Sequence, residues 1–174
     1  MNTLESWPDN PFWDFSIDFY GRDGVEERLL LLQEKLHVDV NLVLYCYWAG
    51  YIGAPFLTES DVNNVLELIK AWQKNIVQPL RVLRSKLKNN SIIKQNSWSG
   101  EIRKKIKLAE LDAERLEQLI LYQEYSLTGD QNIQMAEKCR RAKANVALYI
   151  NCLNRKPNSK HLILMDELLA RLFD

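Results

Sequence analysis

Glycine and proline are scarce, at 6 and 5 residues in a chain of 174. That leaves little material for the turns of a β-sandwich, for a collagen repeat or for flexible linkers. The three cysteines, Cys46, Cys139 and Cys152, form no CxxC pair and are odd in number, which suits a reduced, cytoplasmic chain. The opening residues MNTLESWPDNPFWDF lack a basic start, an apolar stretch and a small-residue cleavage site, so no secretion signal is expected. The longest uncharged stretch, Asn41 to Leu57, is strongly apolar for about 16 residues and ends in Gly53 and Pro55. A spanning helix needs roughly 20, so a buried helix is expected and membrane insertion is not. Neither sign of charge is in excess: Lys plus Arg and Asp plus Glu each number 23. No GxSxG, P-loop, GxGxxG or DDxxD motif is present. Nothing in the sequence calls for an enzyme, and no catalytic, cofactor-binding or metal-ligating residue is assigned.

What is present is helical patterning. Seven segments follow a helical period and no convincing strand does, so the chain is expected to be all-α. The architecture expected is a single-domain helical bundle of about six to seven helices over residues 1–174, with no sheet. Residues 1–10 are expected to form an irregular arm, and residues 89–100 a loop. Pro11 opens the first helix and Gly21 ends it. Asp23-Gly-Val-Glu26 and Thr58-Glu-Ser-Asp61 both have capping-box form, and Asp39 can cap the helix between them. Thr128-Gly-Asp-Gln131 signals a further start, and Pro157-Asn-Ser introduces the last helix.

The longest helix, from Thr58 to about Lys88, has the cleanest pattern. Val62, Val65, Ile69, Trp72, Ile76, Leu80, Leu83 and Leu87 lie within an arc of about 80° at roughly 100° per residue. Pro79 falls inside this helix, where its missing donor and its ring predict a kink near Asn75. The next helix, about Glu101 to Ser126, is apolar on two faces. Ile102, Ile106, Ala109 and Ala113 lie on one face and Leu108, Leu111, Leu119 and Tyr122 on the other, which predicts a helix central to the bundle.

Zero net charge hides blocks. Residues 1–69 hold 3 basic and 12 acidic groups, residues 70–108 hold 11 and 1, residues 109–137 hold 1 and 7, and residues 138–160 hold 7 and 0. One reading pairs the basic stripe Lys70, Lys74, Arg81, Arg84 and Lys88 with the acidic stripe Glu110, Glu114 and Glu117 of an antiparallel neighbour. Another makes the basic groups a surface for phosphate or nucleic acid, joined by Lys138, Arg140, Arg141 and Lys143.

Specific chemistry finds little support. Glu34 and His37 have the spacing of a helical carboxylate–histidine pair, but a di-iron bundle needs two such pairs, and His161 has no Glu three residues before it. Cys46 lies mid-helix among Leu44, Tyr45, Tyr47 and Trp48, in the manner of a core residue. Aromatic residues crowd the N-terminal third: Trp7, Phe12, Trp13, Phe15, Phe19 and Tyr20, then Tyr45, Tyr47, Trp48 and Tyr51. Most are expected in the core, with a minority left to line a groove. Asn41, within an otherwise apolar helix, is expected as a buried polar anchor.

The segments FWDFSIDFY, GVEERLLLLQ, DVNLVLYCYWAG, QPLRVLR and IKLAELDAERLEQ, in this order over roughly Pro11 to Leu121, resemble the bacterial proteins grouped as domain of unknown function 2390. The resemblance implies a small helical bacterial protein, found mainly in proteobacteria, and carries no activity. Residues that share both the resemblance and polar chemistry are Trp13, Asp14, Ser16, Tyr20, Asp39, Asn41, Trp48, Arg81, Arg84, Lys107, Glu110, Glu114, Arg115 and Glu117. These are the candidate binding or polar-network residues. The leading expectation for function is a non-catalytic protein–protein interaction or adaptor module with an unidentified protein partner. Alternatives are nucleic-acid or ribonucleoprotein binding through the basic stripes, and an enzyme or small-ligand binder with an aromatic interhelical pocket. Neither the partner nor the oligomeric state is legible in the sequence.

Overall fold

The structure, a computed structural model, describes residues 6–89 and 98–174. Every regular element among them is helical. In chain order these are α1 (Pro11–Tyr20), α2 (Val25–Leu36), α3 (Val40–Tyr51), α4 (Glu59–Trp72), a π-helical turn (Gln73–Val77), α5 (Gln78–Asn89), α6 (Trp98–Glu124), α7 (Met135–Cys152) and α8 (Ser159–Phe173). With α4, the π turn and α5 counted as one rod, the described residues form seven helical segments, and the chain is all-α. These sort into two compact units, α1–α3 with α7 and α8 in the first, and α4–α6 in the second.

In the first unit α3 is the axis. Every residue from Asn41 to Gly50 is buried, which accounts for the apolar run without a membrane. No helix among the described residues is long and apolar enough to cross one. Asp39 starts α3 by accepting from the Asn41 N–H at 2.8 Å, and its own N–H donates to the Tyr149 hydroxyl of α7 at 2.9 Å. Further along, a Cβ on Gly50 would lie 2.3 Å from the Ala142 backbone nitrogen. Helices α3 and α7 therefore touch backbone to backbone, and only glycine allows it. Phe12 stacks on Trp48 at 5.1 Å and meets Tyr45 edge-on at 5.5 Å, which fastens α1 to α3. Tyr47, fully buried, donates its hydroxyl to the Met165 carbonyl of α8 at 3.0 Å. Arginines close exposed carbonyl ends: Arg22 donates to the carbonyls of Arg171 and Leu172, and Arg141 to those of Gly53 and Ala54. A guanidinium suits these positions because its several donors match the unsatisfied carbonyls at a helix end.

Several helix ends differ from expectation. The Asp23–Glu26 capping box does not form. The residue before α2 is Gly24, at φ 69°, with no side-chain cap, and the Arg28 guanidinium donates to its carbonyl instead. The left-handed turn that glycine permits joins α1 to α2 without a cap from Asp23. Helix α7 begins at Met135, not near Gln131, because Asp130 accepts from the Asn132 N–H at 2.8 Å and closes a turn before the helix. Of the expected loop 89–100, Asn89 ends α5 and Trp98–Gly100 begin α6, while residues 90–97 lie outside the described residues. The Thr58–Asp61 box forms as expected, with reciprocal bonds of 3.2 and 2.8 Å.

In the second unit, Pro79 has a larger consequence than a kink. Its ring crowds the Asn75 carbonyl and offers no N–H. The helix answers with a widened turn in which the Gln78 N–H reaches back to the Gln73 carbonyl, an i→i+5 bond. Such a turn holds one residue more than an α turn, so the inward stripe slips by one position. Val62, Val65 and Ile69 are buried as the period predicts, but beyond the bulge Val77 is buried where Ile76 was expected. Ile76 and Leu83 are more than a third exposed. In place of Leu83, Arg81 and Arg84 turn toward α6.

Helix α6 departs from expectation over its first half. Ile102, Leu108 and Leu111 are exposed, and its buried positions start at Glu110. Two apolar faces therefore did not make it central along its whole length. Opposite α5, its inner positions meet arginines, and glutamates serve there better than leucines.

Candidate functional site

Arg81 and Arg84 of α5 and Glu110 and Glu114 of α6 form one network. Arg84 grips both oxygens of Glu110, through Nε to Oε2 and through Nη2 to Oε1, the latter at 3.0 Å. Arg81 bridges two carboxylates, at 2.7 Å to Glu114 and 3.4 Å to Glu110. Glu110 is only 5% exposed. Burying its charge is tolerable because the guanidinium fork satisfies it with charge-assisted bonds. An (i, i+3) arginine pair and an (i, i+4) glutamate pair each lie on one face of their helix, so the four groups meet across antiparallel helices.

The π turn extends this seam. Gln73 donates to Glu117, which is fully buried, at 2.6 Å, and Gln78 donates to Gln73 at 3.3 Å. Trp72 donates its indole N–H to the Ala113 carbonyl at 3.0 Å. Neither Gln73 nor Gln78 was singled out from sequence. The signal was Pro79: a π turn exposes backbone and redirects the side chains within it, and Gln73 sits at its start.

The other candidates lie outside the bonds just described. Lys107 is exposed and outside the network's ion pairs, and Arg115 is half-buried. The remaining seven lie in the first unit. Trp13 and Tyr20 are half-buried on α1, Asp14 is exposed, and Ser16 is buried with its hydroxyl donating to the Phe12 carbonyl at 2.8 Å. Asp39 caps α3, while Asn41 and Trp48 lie in the core. These seven lie on or beside α1 and α3.

Elsewhere several charged and nucleophilic groups are engaged or enclosed. Burial pushes the Cys46 thiol well above its ordinary value, which removes its thiolate character. Hydrogen bonds from Arg140 and Arg141 hold the Glu137 carboxyl down to about 2. His37 ends α2 in a left-handed conformation, and Glu34 pairs with Lys35 at 2.6 Å. Among the described residues no group of three or more His, Cys, Asp or Glu side chains is placed to hold a metal ion.

A helical protein whose inner carboxylates are clasped by arginines across two antiparallel helices is the class that this geometry defines. The model of the family described as Protein of unknown function (DUF2390) matches residues 11–121, from the start of α1 to near the end of α6. The chain belongs to that family. No curated protein matches the chain, and no solved structure does.

Proposed function

We propose that this protein is a non-catalytic interaction module that presents an aromatic and charged surface to a protein partner in the cytoplasm. The observation that carries the reading is an aromatic ridge on the first unit. Phe15 of α1, Tyr51 at the end of α3 and Phe173 at the end of α8 form a chain of rings with centroids 5.2 and 6.3 Å apart. Tyr51, its middle member, is 42% exposed. Aromatic groups held by neighbours lose little entropy on binding and are enriched at the anchoring points of interfaces. The clasp supports the same reading: Glu110 and Glu114, the groups that acid–base chemistry would need, serve as acceptors for Arg81 and Arg84. Three free thiols, Cys46, Cys139 and Cys152, suit a reducing compartment.

The experiment is photo-crosslinking in the native host with a reactive amino acid in place of Tyr51. The expected result is one dominant protein adduct. The same adduct, captured from position 17 on α1, should disappear in a Tyr51→Lys, Phe173→Ser variant that keeps its helix content. An adduct pattern indifferent to those substitutions, or no protein adduct, refutes the proposal.

A further inference from the structure

Each basic block of the sequence is only partly taken up by ion pairs among the described residues. In the block 138–160, Arg140 and Arg141 bond to Glu137, Lys143 lies 2.6 Å from Asp166, and Lys138 donates to Gln131, while Arg155, Lys156 and Lys160 are exposed and outside the ion pairs among the described residues. In the block 70–108, Lys70 pairs with Glu67, and Arg81 and Arg84 are taken up by the clasp. Of that block's other described cations, Lys74 lies in the π turn, and six lie toward the outer end of the helix pair: Lys86 and Lys88 on the last turn of α5, and Arg103, Lys104, Lys105 and Lys107 on the first half of α6. All six are exposed, and none has an ion-pair partner among the described residues. Because Arg84 faces Glu110 and Arg81 faces Glu114, the two helices run antiparallel, and Lys86 and Lys88 lie alongside the α6 cations. Glu101 is the one acidic residue from 70 to 108 in the sequence. Trp98, at the start of α6 in the same region, is 72% exposed.

We propose that the outer half of the α5–α6 pair binds single-stranded nucleic acid, with the six cations on successive phosphates and Trp98 stacking on a base. This goes beyond the protein-binding role, whose aromatic ridge lies on the other unit. Like charges this close repel one another, a standing cost that a polyanion relieves by giving up its own counterions. An indole beside such a cluster of cations is what an unpaired base needs, since every base has a stacking face. A lipid surface fits less well. Lying on a bilayer requires apolar and basic residues on opposite faces of a helix. Here Arg103, Lys104 and Lys105 follow at steps of about 100° around α6, and the exposed Ile102, Leu108 and Leu111 are interleaved with them.

The test is fluorescence anisotropy with the full chain and labelled mixed-sequence 20-nucleotide single strands of RNA and DNA, the matching duplexes, and a co-sedimentation arm with phosphatidylglycerol vesicles. Single strands should bind more tightly than duplexes. The log–log dependence on salt should have a slope of roughly −4, the value for six phosphates on a single strand. Reversing Lys104, Lys105 and Lys107 to Glu should weaken binding more than tenfold, and so should Lys86→Glu with Lys88→Glu on the other helix. Trp98→Leu should weaken it roughly fivefold or more. Reversing Arg155, Lys156 and Lys160 in the first unit changes net charge by the same amount and should leave affinity within twofold. Circular dichroism on each variant separates lost binding from lost fold. Equal loss in the first-unit control, preference for duplex, absence of binding at about 150 mM salt, or vesicle binding without oligonucleotide binding overturns the proposal.

Discussion

The clasp between α5 and α6 makes an asymmetric demand on its two sides. Glu110 is 5% exposed, whereas the Arg84 side chain is 31% exposed. Removing Arg84 therefore strands a carboxylate that water reaches poorly, with only the 3.4 Å contact to Arg81 left to it. Removing Glu110 leaves a guanidinium that can turn to solvent. Breaking a fully buried pair costs about 3–5 kcal/mol. Discounted for the remaining Arg81 contact and for partial exposure, Arg84→Met should cost about 2–3 kcal/mol and Glu110→Met about 1. Methionine keeps much of the aliphatic stem in each case, so lost packing contributes little. The double variant should cost less than Arg84→Met alone, because neither charge is left behind, and the coupling in the cycle should be about 1–2 kcal/mol. The assay is urea unfolding followed by tryptophan fluorescence, to which Trp72 and Trp98 contribute from the second unit, with circular dichroism alongside. Additivity within about 0.5 kcal/mol, or a Glu110 variant less stable than the Arg84 variant, would show that the pair is a surface contact of no consequence.

Ile76→Lys should shift stability by less than about 0.5 kcal/mol, whereas Val77→Lys, one residue on and fully buried, should largely unfold the second unit. Equal tolerance at the two positions, measured by urea midpoint, would contradict the slipped register. Gly50→Ala should destabilise by about 1–3 kcal/mol or more, since its Cβ meets Ala142 backbone. Gly100→Ala, with nothing within 4 Å, should stabilise α6 by about 0.5–1 kcal/mol; thermal unfolding ranks the two. The Glu137 carboxyl is lowered from 4.5 to about 2 in the folded chain. Its contribution to stability is therefore present above its unfolded value and lost as pH falls through about 2. Glu137→Gln should lower the urea midpoint at pH 7 and converge with the parent near pH 2, and a difference that persists unchanged at the acid end would exclude this linkage.

Periodicity and caps make most of the fold legible in the sequence. The segments around Pro11, Asp39 and Thr58 start where side chains can accept from first-turn amides, and that choice is local, so it survives packing. The failures at Asp23 and Gln131 are of another kind. Both motifs had the right residue types, but Gly24 with its positive φ and Asp130 with its turn satisfied the chain differently, a competition that spacing alone does not decide. Two apolar faces on α6 do not reveal how far α5 covers them, and Ile102, Leu108 and Leu111 stay exposed. The Arg–Glu pairing was visible as complementary stripes; that it would take only Arg81 and Arg84, and leave the lysines outside, was not.

That division traces back to one residue. Had the rod remained α-helical through Pro79, the stripe Ile76, Leu80, Leu83 and Leu87 would face α6, and Arg81 and Arg84 would lie beside the seam with the lysines. The i→i+5 turn advances the register by one position, so α5 turns arginines inward and leaves Ile76 and Leu83 outside. Glutamates at 110 and 114 then match arginines where leucines would have met leucines. The polar seam and the uncompensated cations at the outer end of the pair share this origin, because α6 places its carboxylates opposite the arginines and none opposite Lys86 and Lys88. A chain with equal numbers of positive and negative groups thereby acquires a local surface of one sign. The means is a proline placed four residues after the carbonyl it obstructs.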